Sequence, residues 1–138
     1  MSTYFDRDTG DYGVREQIGN QTMEMWFEKF HESFDTDYYW VVLSIADKKS
    51  QLSEVFEKRQ ITGRNPHASI IAIRNAFEEL EGLIRHTHHS RNAVICVGWE
   101  DGKRRDVYWR YLKRKGYQMT NIFGDKCIFK KIRKGRII

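Results

Sequence analysis

Apolar side chains change their spacing several times along the 138 residues, and each change marks an element. Over 14–34, Met23, Trp26, Phe27, Phe30 and Phe34 follow the i, i+3, i+4 rule, which predicts an amphipathic helix with an aromatic stripe. Asp35-Thr36-Asp37 ends it. Residues 38–46, YYWVVLSIA, are a continuous β-branched and aromatic run, which predicts a strand buried on both faces. Asp47 is placed to cap a helix over 48–60 whose stripe is Leu52, Val55 and Phe56. Thr62-Gly63-Arg64 breaks the chain, and Asn65-Pro66 is an N-cap followed by proline at the first helical position. Ile70, Ile73, Phe77, Leu80 and Ile84 carry that helix to about residue 85. Its stripe needs a cover, either the domain's own sheet or a second copy in a homodimer through the 66–85 helix. Residues 93–99, AVICVGW, predict a second buried strand, and Asp101 caps a helix over 102–115 that Gly116 closes. Two last strands, 117–123 and 126–132, join at Gly124-Asp125 as a hairpin.

Together these elements predict an α/β domain. Its small mixed sheet has about four strands, the order is α-β-α-α-β-α-β-β, and helices pack on the sheet. The single globular domain spans 14–132, with a mobile polar arm over 1–13 and a basic tail over 133–138.

Composition adds limits. Aromatics are 14% and hydrophobic residues 40%, too many for a disordered chain, and the length suits one domain. No apolar run approaches the ~20 residues of a membrane helix, and the start, MSTYFDRDTGDYG, lacks the pattern of a secretory signal. Cys96 and Cys127 lie in apolar runs without a CxxC, which suggests two buried reduced thiols in a cytoplasmic protein.

Charge is uneven. Residues 1–102 hold 11 basic and 17 acidic side chains, net −6, whereas 103–138 hold 13 basic and 2 acidic, net +11. On a helical wheel of 102–115, Val107, Tyr108, Tyr111 and Leu112 take one side, and Lys103, Arg110, Lys113 and Arg114 the other. Such clustering is the electrostatic footprint of a polyanion contact. The primary expectation is therefore a non-enzymatic accessory or regulatory protein that binds nucleic acid through a basic C-terminal helix, hairpin and tail. Lys103, Arg104, Arg110, Lys113, Arg114, Lys130, Lys131 and Arg133 would meet phosphates, and Trp109 and Tyr117 would stack on bases. An adaptor docking the same cations on an acidic protein surface is an alternative.

Two further chemistries are weighed. Asp47, Glu100 and Asp101 stand at strand ends, where converging carboxylates hold Mg²⁺, although helix capping explains the two aspartates. His86, His88 and His89 follow the long helix, but zinc takes three or four ligands in ordered spacing, so no metal is expected.

The second half, about 50–132, resembles the end of the GNAT-type N-acetyltransferases. That family has a strand, a Gln/Arg-x-x-Gly-x-Gly/Ala pyrophosphate loop, a helix, a strand, a helix and a final strand pair. Gln60-Ile61-Thr62-Gly63-Arg64-Asn65 resembles the loop, 92–99 the next strand, and 111–117 the final helix ending in Gly-aromatic. The resemblance implies acetyl-CoA as cofactor and N-acyl transfer as activity. The chain departs from it in four places. Asn65 replaces the last small residue, Tyr111 stands one position too far from Gly116, 51–60 reads as a helix in place of a strand, and the early strands are missing.

Overall fold

The computed structural model describes residues 1–47, 66–87, 91–98 and 102–133. Seven strands form one mixed sheet: β1 (Ser2–Phe5), β2 (Tyr12–Ile18), β3 (Gln21–Glu32), β4 (Thr36–Asp47), β5 (Asn92–Val97), β6 (Gln118–Ile122) and β7 (Asp125–Ile132). Their order across the sheet is β1-β2-β3-β4-β5-β7-β6. Two helices complete the described residues, α1 (Pro66–Thr87) and α2 (Gly102–Leu112), with a 3₁₀ turn over Lys113–Lys115. Every neighbouring strand pair is antiparallel except β4 with β5.

This architecture corrects the α/β expectation of about four strands at its first element. The expected helix over 14–34 is the hairpin of β2 and β3. Met23, Met25 and Phe27 are buried while Thr22, Glu24 and Trp26 are only half-buried, so the period is two. The i, i+3, i+4 set had mixed residues from both faces of a strand. The hairpin turns at Gly19-Asn20, where Gly19 has φ of 58° and Ile18 pairs with Gln21. The stretch 1–13, expected as an arm outside the domain, supplies β1 and the start of β2, with Ser2 opposite Arg15 and Phe5 opposite Tyr12. The expected helix over 48–60 and the tail beyond Arg133 lie outside the described residues.

Later elements follow the sequence pattern. Proline starts α1, and Gly116 closes the basic helix in the left-handed region, φ 89°. The last hairpin turns one residue earlier than expected, at Phe123-Gly124, both with positive φ.

One face of the sheet bears the main core. Tyr12, Val14, Ile18, Met23, Met25, Phe27, Tyr39, Ile45, Ala93, Ile95, Val97, Ile128 and Ile132 meet Ala72, Ile73, Ala76, Phe77, Leu80 and Ile84 of α1 and Leu112 of α2. The α1 stripe is thus taken up by the chain's own sheet, mainly β2 and β3, and Ile70 alone of that stripe is exposed. Tyr12 pins the helix end by a 2.7 Å hydrogen bond between its hydroxyl and that of Thr87. No described helix is long and apolar enough to cross a membrane.

Gly19→Ala separates the two readings of the N-terminal quarter by sign. In a helix the change would stabilise by about 1 kcal/mol. At a positive-φ turn with open space around it, it destabilises by about 1–2 kcal/mol, which urea unfolding will read.

Candidate functional site

The central feature is the parallel pair. β4 and β5 are in register from Thr36↔Asn92 to Trp40↔Cys96. Their amino ends are clasped together. Arg91 donates to Asp37 Oδ1 from Nη2 at 2.9 Å and to the carbonyls of Ser33 and Phe34 at 2.8 and 3.1 Å. The Asn92 amide donates to the Asp35 carbonyl at 2.8 Å, and Lys29 Nζ adds a 3.7 Å contact to Asp37. The Asp37 carboxylate in turn raises the Arg91 guanidinium above its ordinary value.

Beyond Trp40↔Cys96 the described pairing of the two strands stops. β5 ends at Val97, while β4 continues to Asp47, still paired with β3 as far as Gln21↔Asp47. Seven residues, about 23 Å of extended backbone, thus have no described strand on their β5 side. Trp40 marks the base of this fork: its ring lies 3.5 Å from the position a Cβ would take at Gly98. In open sheets, ligands gather at the carboxyl ends of parallel strands, where neighbouring connections diverge. After β4 the chain passes through 48–65, outside the described residues, and re-enters at the N-terminus of α1. That helix is 22 residues long and has no acidic side chain in its first turn.

Titratable groups near the fork are few. Glu28 stands directly opposite Trp40 on β3, and burial, helped by Asp11, raises its carboxyl. Cys96 and Cys127 are free and buried. A hydrogen bond between their side chains, then burial, pushes the Cys96 thiol far up, so it is no thiolate. Asp47 lies at the far tip of β4, and Glu100 and Asp101 are outside the described residues. Among the described residues, no three His, Cys, Asp or Glu side chains group as a metal site; His86 is exposed on the last turn of α1.

The basic residues do not share one surface. Arg110, Lys113 and Arg114 are exposed on α2 and the 3₁₀ turn, as the helical wheel predicts. Lys103 and Arg104 fall on the first turn of α2, and their side chains lie outside the described residues. Lys130 turns inward: Nζ donates to Glu81 Oε1 at 2.6 Å and sits 5.4 Å above the Tyr117 ring. Tyr117 is 2% exposed and donates to Glu81 Oε2 at 3.1 Å, which corrects its stacking role. Burial, with the Glu81 charge adding, raises its phenol well above the usual value. Trp109 packs partly against the core, and Lys131 and Arg133 are exposed. Neighbours along β7 alternate, so Lys131 faces away from Lys130. Tyr111 is tied to α1, donating to the Arg74 carbonyl at 3.3 Å.

What sequence reasoning missed here is the length mismatch of β4 and β5. A twelve-residue strand beside a six-residue one is visible only once both are paired. Compared with known proteins, the chain matches no family model, no curated protein and no solved structure, so its own residues carry the argument.

Glu81 is the buried member of the α1 network. Glu81→Ala strands Lys130 and the Tyr117 hydroxyl, and the expected cost is about 3–5 kcal/mol in urea unfolding. Glu78→Ala, which breaks only the exposed 2.9 Å pair with Lys115, should cost less than about 1 kcal/mol.

Proposed function

We propose that the fork between β4 and β5 takes a coenzyme A thioester and that the protein transfers its acyl group to an amine. The observation that carries this reading is the end of the described parallel pairing at Trp40↔Cys96, with β4 running on to Asp47.

Three features fit such a ligand. On its β5 side β4 has no described strand partner over 41–47, where its backbone amides and carbonyls are extended, and an amide-bearing arm can add there like a further strand. Gln60-Ile61-Thr62-Gly63-Arg64-Asn65 leads into a long helix whose first turn carries no competing carboxylate, a suitable place for a pyrophosphate. The described order β4, α1, β5, α2, β6, β7 is also that of the GNAT-type N-acetyltransferases from their loop-bearing strand onward. β1 to β3 precede β4 in the sheet, which supports the resemblance at the point where the sequence pattern showed no early strands. The extra residue between Tyr111 and Gly116 falls where the chain tightens into the 3₁₀ turn.

When bound, the thioester supplies an acyl group activated toward nucleophiles. The chain's part is binding and proton handling. Glu28 stands across the β3–β4 register from Trp40, and we assign it to accept the proton of an attacking amine, with CoA leaving as its thiol. Cys96 is held as a thiol by Cys127 and by burial, which disfavours an acyl-cysteine at that residue.

Thermal unfolding with acetyl-CoA tests the reading. Ligand at about 100 times its Kd adds about 2.7 kcal/mol, which raises Tm by roughly 5–10 °C for a chain this size. Gly63→Glu, which sets a carboxylate in the loop, should abolish that rise. Absence of any shift with millimolar acetyl-CoA and CoA overturns the proposal.

A further inference from the structure

The face of the sheet opposite the main core carries a second cluster, and it is aromatic. Tyr38, Trp40, Ile122 and Phe129 pack on Val94, Cys96 and Cys127. Phe30 stacks on Trp40 with ring centroids 5.0 Å apart and planes at 28°. Phe123 meets Phe30, His31 and Tyr38 at 6.1, 4.7 and 5.3 Å. Much of this surface is open: Phe123 is 61% exposed and Phe30 37%.

Phe123 is out of place by ordinary rules. Its φ of 51° makes it the one described non-glycine residue in the left-handed region, a strained position for a bulky side chain. It opens a two-residue hairpin turn where asparagine, aspartate or glycine is the usual choice. A large ring held under strain and in water is not what folding alone selects.

Charge on the same face complements the rings. Lys131 alternates with Cys127 and Phe129 along β7 and so projects to their side, and it shares one row with Val94 and Tyr38. Two strand spacings put its backbone about 10 Å from that of Tyr38. Arg133 follows two residues on, and both cations are exposed. Glu28 bounds the cluster on the β3 side with negative charge, which leaves the β4 to β7 side to an anionic chain.

We propose that this face binds single-stranded nucleic acid, with Phe123 and Phe30 stacking on bases and Lys131 and Arg133 meeting phosphates. Exposed rings that accept any base, flanked by cations, are the two parts such a surface needs. The proposal does not depend on acyl transfer, since none of these four residues lines the backbone edge of the fork.

Fluorescence anisotropy with labelled 15-nucleotide oligo(dU) and oligo(U), at about 50 mM salt, tests it. Binding to either strand is expected, and tighter binding of one assigns the sugar it prefers. Phe123→Asn suits the turn, so it should leave Tm unchanged or higher while weakening binding roughly tenfold. Lys131→Gln with Arg133→Gln should flatten the salt slope by about 1.4, near 0.7 for each lost phosphate contact. Three results overturn the proposal. One is no binding to either strand. Another is binding that survives Phe123→Asn but falls with Arg110→Gln, Lys113→Gln and Arg114→Gln. The third is equal affinity for poly-glutamate, which carries charge but no bases.

Discussion

The structure depends on unequal pairing along β4. On one side this strand is hydrogen-bonded to β3 for its whole length; on the other it is bonded to β5 for five rungs only. Parallel strands need a crossover, and α1 is the described part of it. That helix packs mainly over β2 and β3, and its side chains also meet Tyr39, Ala93 and Ile95 of the parallel pair in the common core. The clasp of Arg91, Asp37, Asp35 and Asn92 closes the amino end of the pair. At the other end the described pairing stops at Trp40↔Cys96, and β4 runs on paired to β3 alone among the described strands.

How much of this was legible depended on where two periods compete. The C-terminal half had clear punctuation: Asn65-Pro66, the apolar run before Gly98, and Gly116 each mark a real boundary or lie within a few residues of one. The N-terminal quarter did not. Met23, Met25 and Phe27 alternate as a strand should, but Trp26 and Phe30 on the other face complete an equally good helical stripe. The deciding signal was local. Gly19-Asn20 is a hairpin dipeptide, and Gly19 uses the backbone freedom that a helix interior would penalise. The exposed cations of α2 were legible from a wheel. The inward turn of Lys130 was not, because it depends on Glu81, forty-nine positions earlier.

That long-range pairing also changes the meaning of the charge asymmetry. An acidic front and a basic end suggested two bodies of opposite sign facing different partners. In the folded chain they partly face each other. Glu78 holds Lys115, and Glu81 holds Lys130 and the Tyr117 hydroxyl, so α1 neutralises cations of the last quarter from within. The buried Glu81 pair is specific rather than simply attractive. Two charges taken from water gain little over an apolar pair of the same size, and a register of α1 on β7 that separated Glu81 from Lys130 would leave both without this partner. Among the described residues, the exposed cations of the last quarter are spread over α2, the 3₁₀ turn, and β7 with the residue after it.

Trp40 connects the two candidate surfaces. It belongs to the last rung of the parallel pair, so its backbone sits at the base of the fork. Its ring lies on the opposite face, stacked under Phe30 and reaching toward Gly98. A ligand at the fork that shifted Trp40 would act on that ring and, through Phe30 and one contact further, on Phe123. Aromatic stacks are worth only about 0.5–1.5 kcal/mol each, so the linkage is soft. Coupling of that size is still enough to shift an affinity severalfold, and by thermodynamic reciprocity the shift is the same in both directions. A ligand at the backbone edge and a ligand on the rings would therefore sense one another through a single side chain.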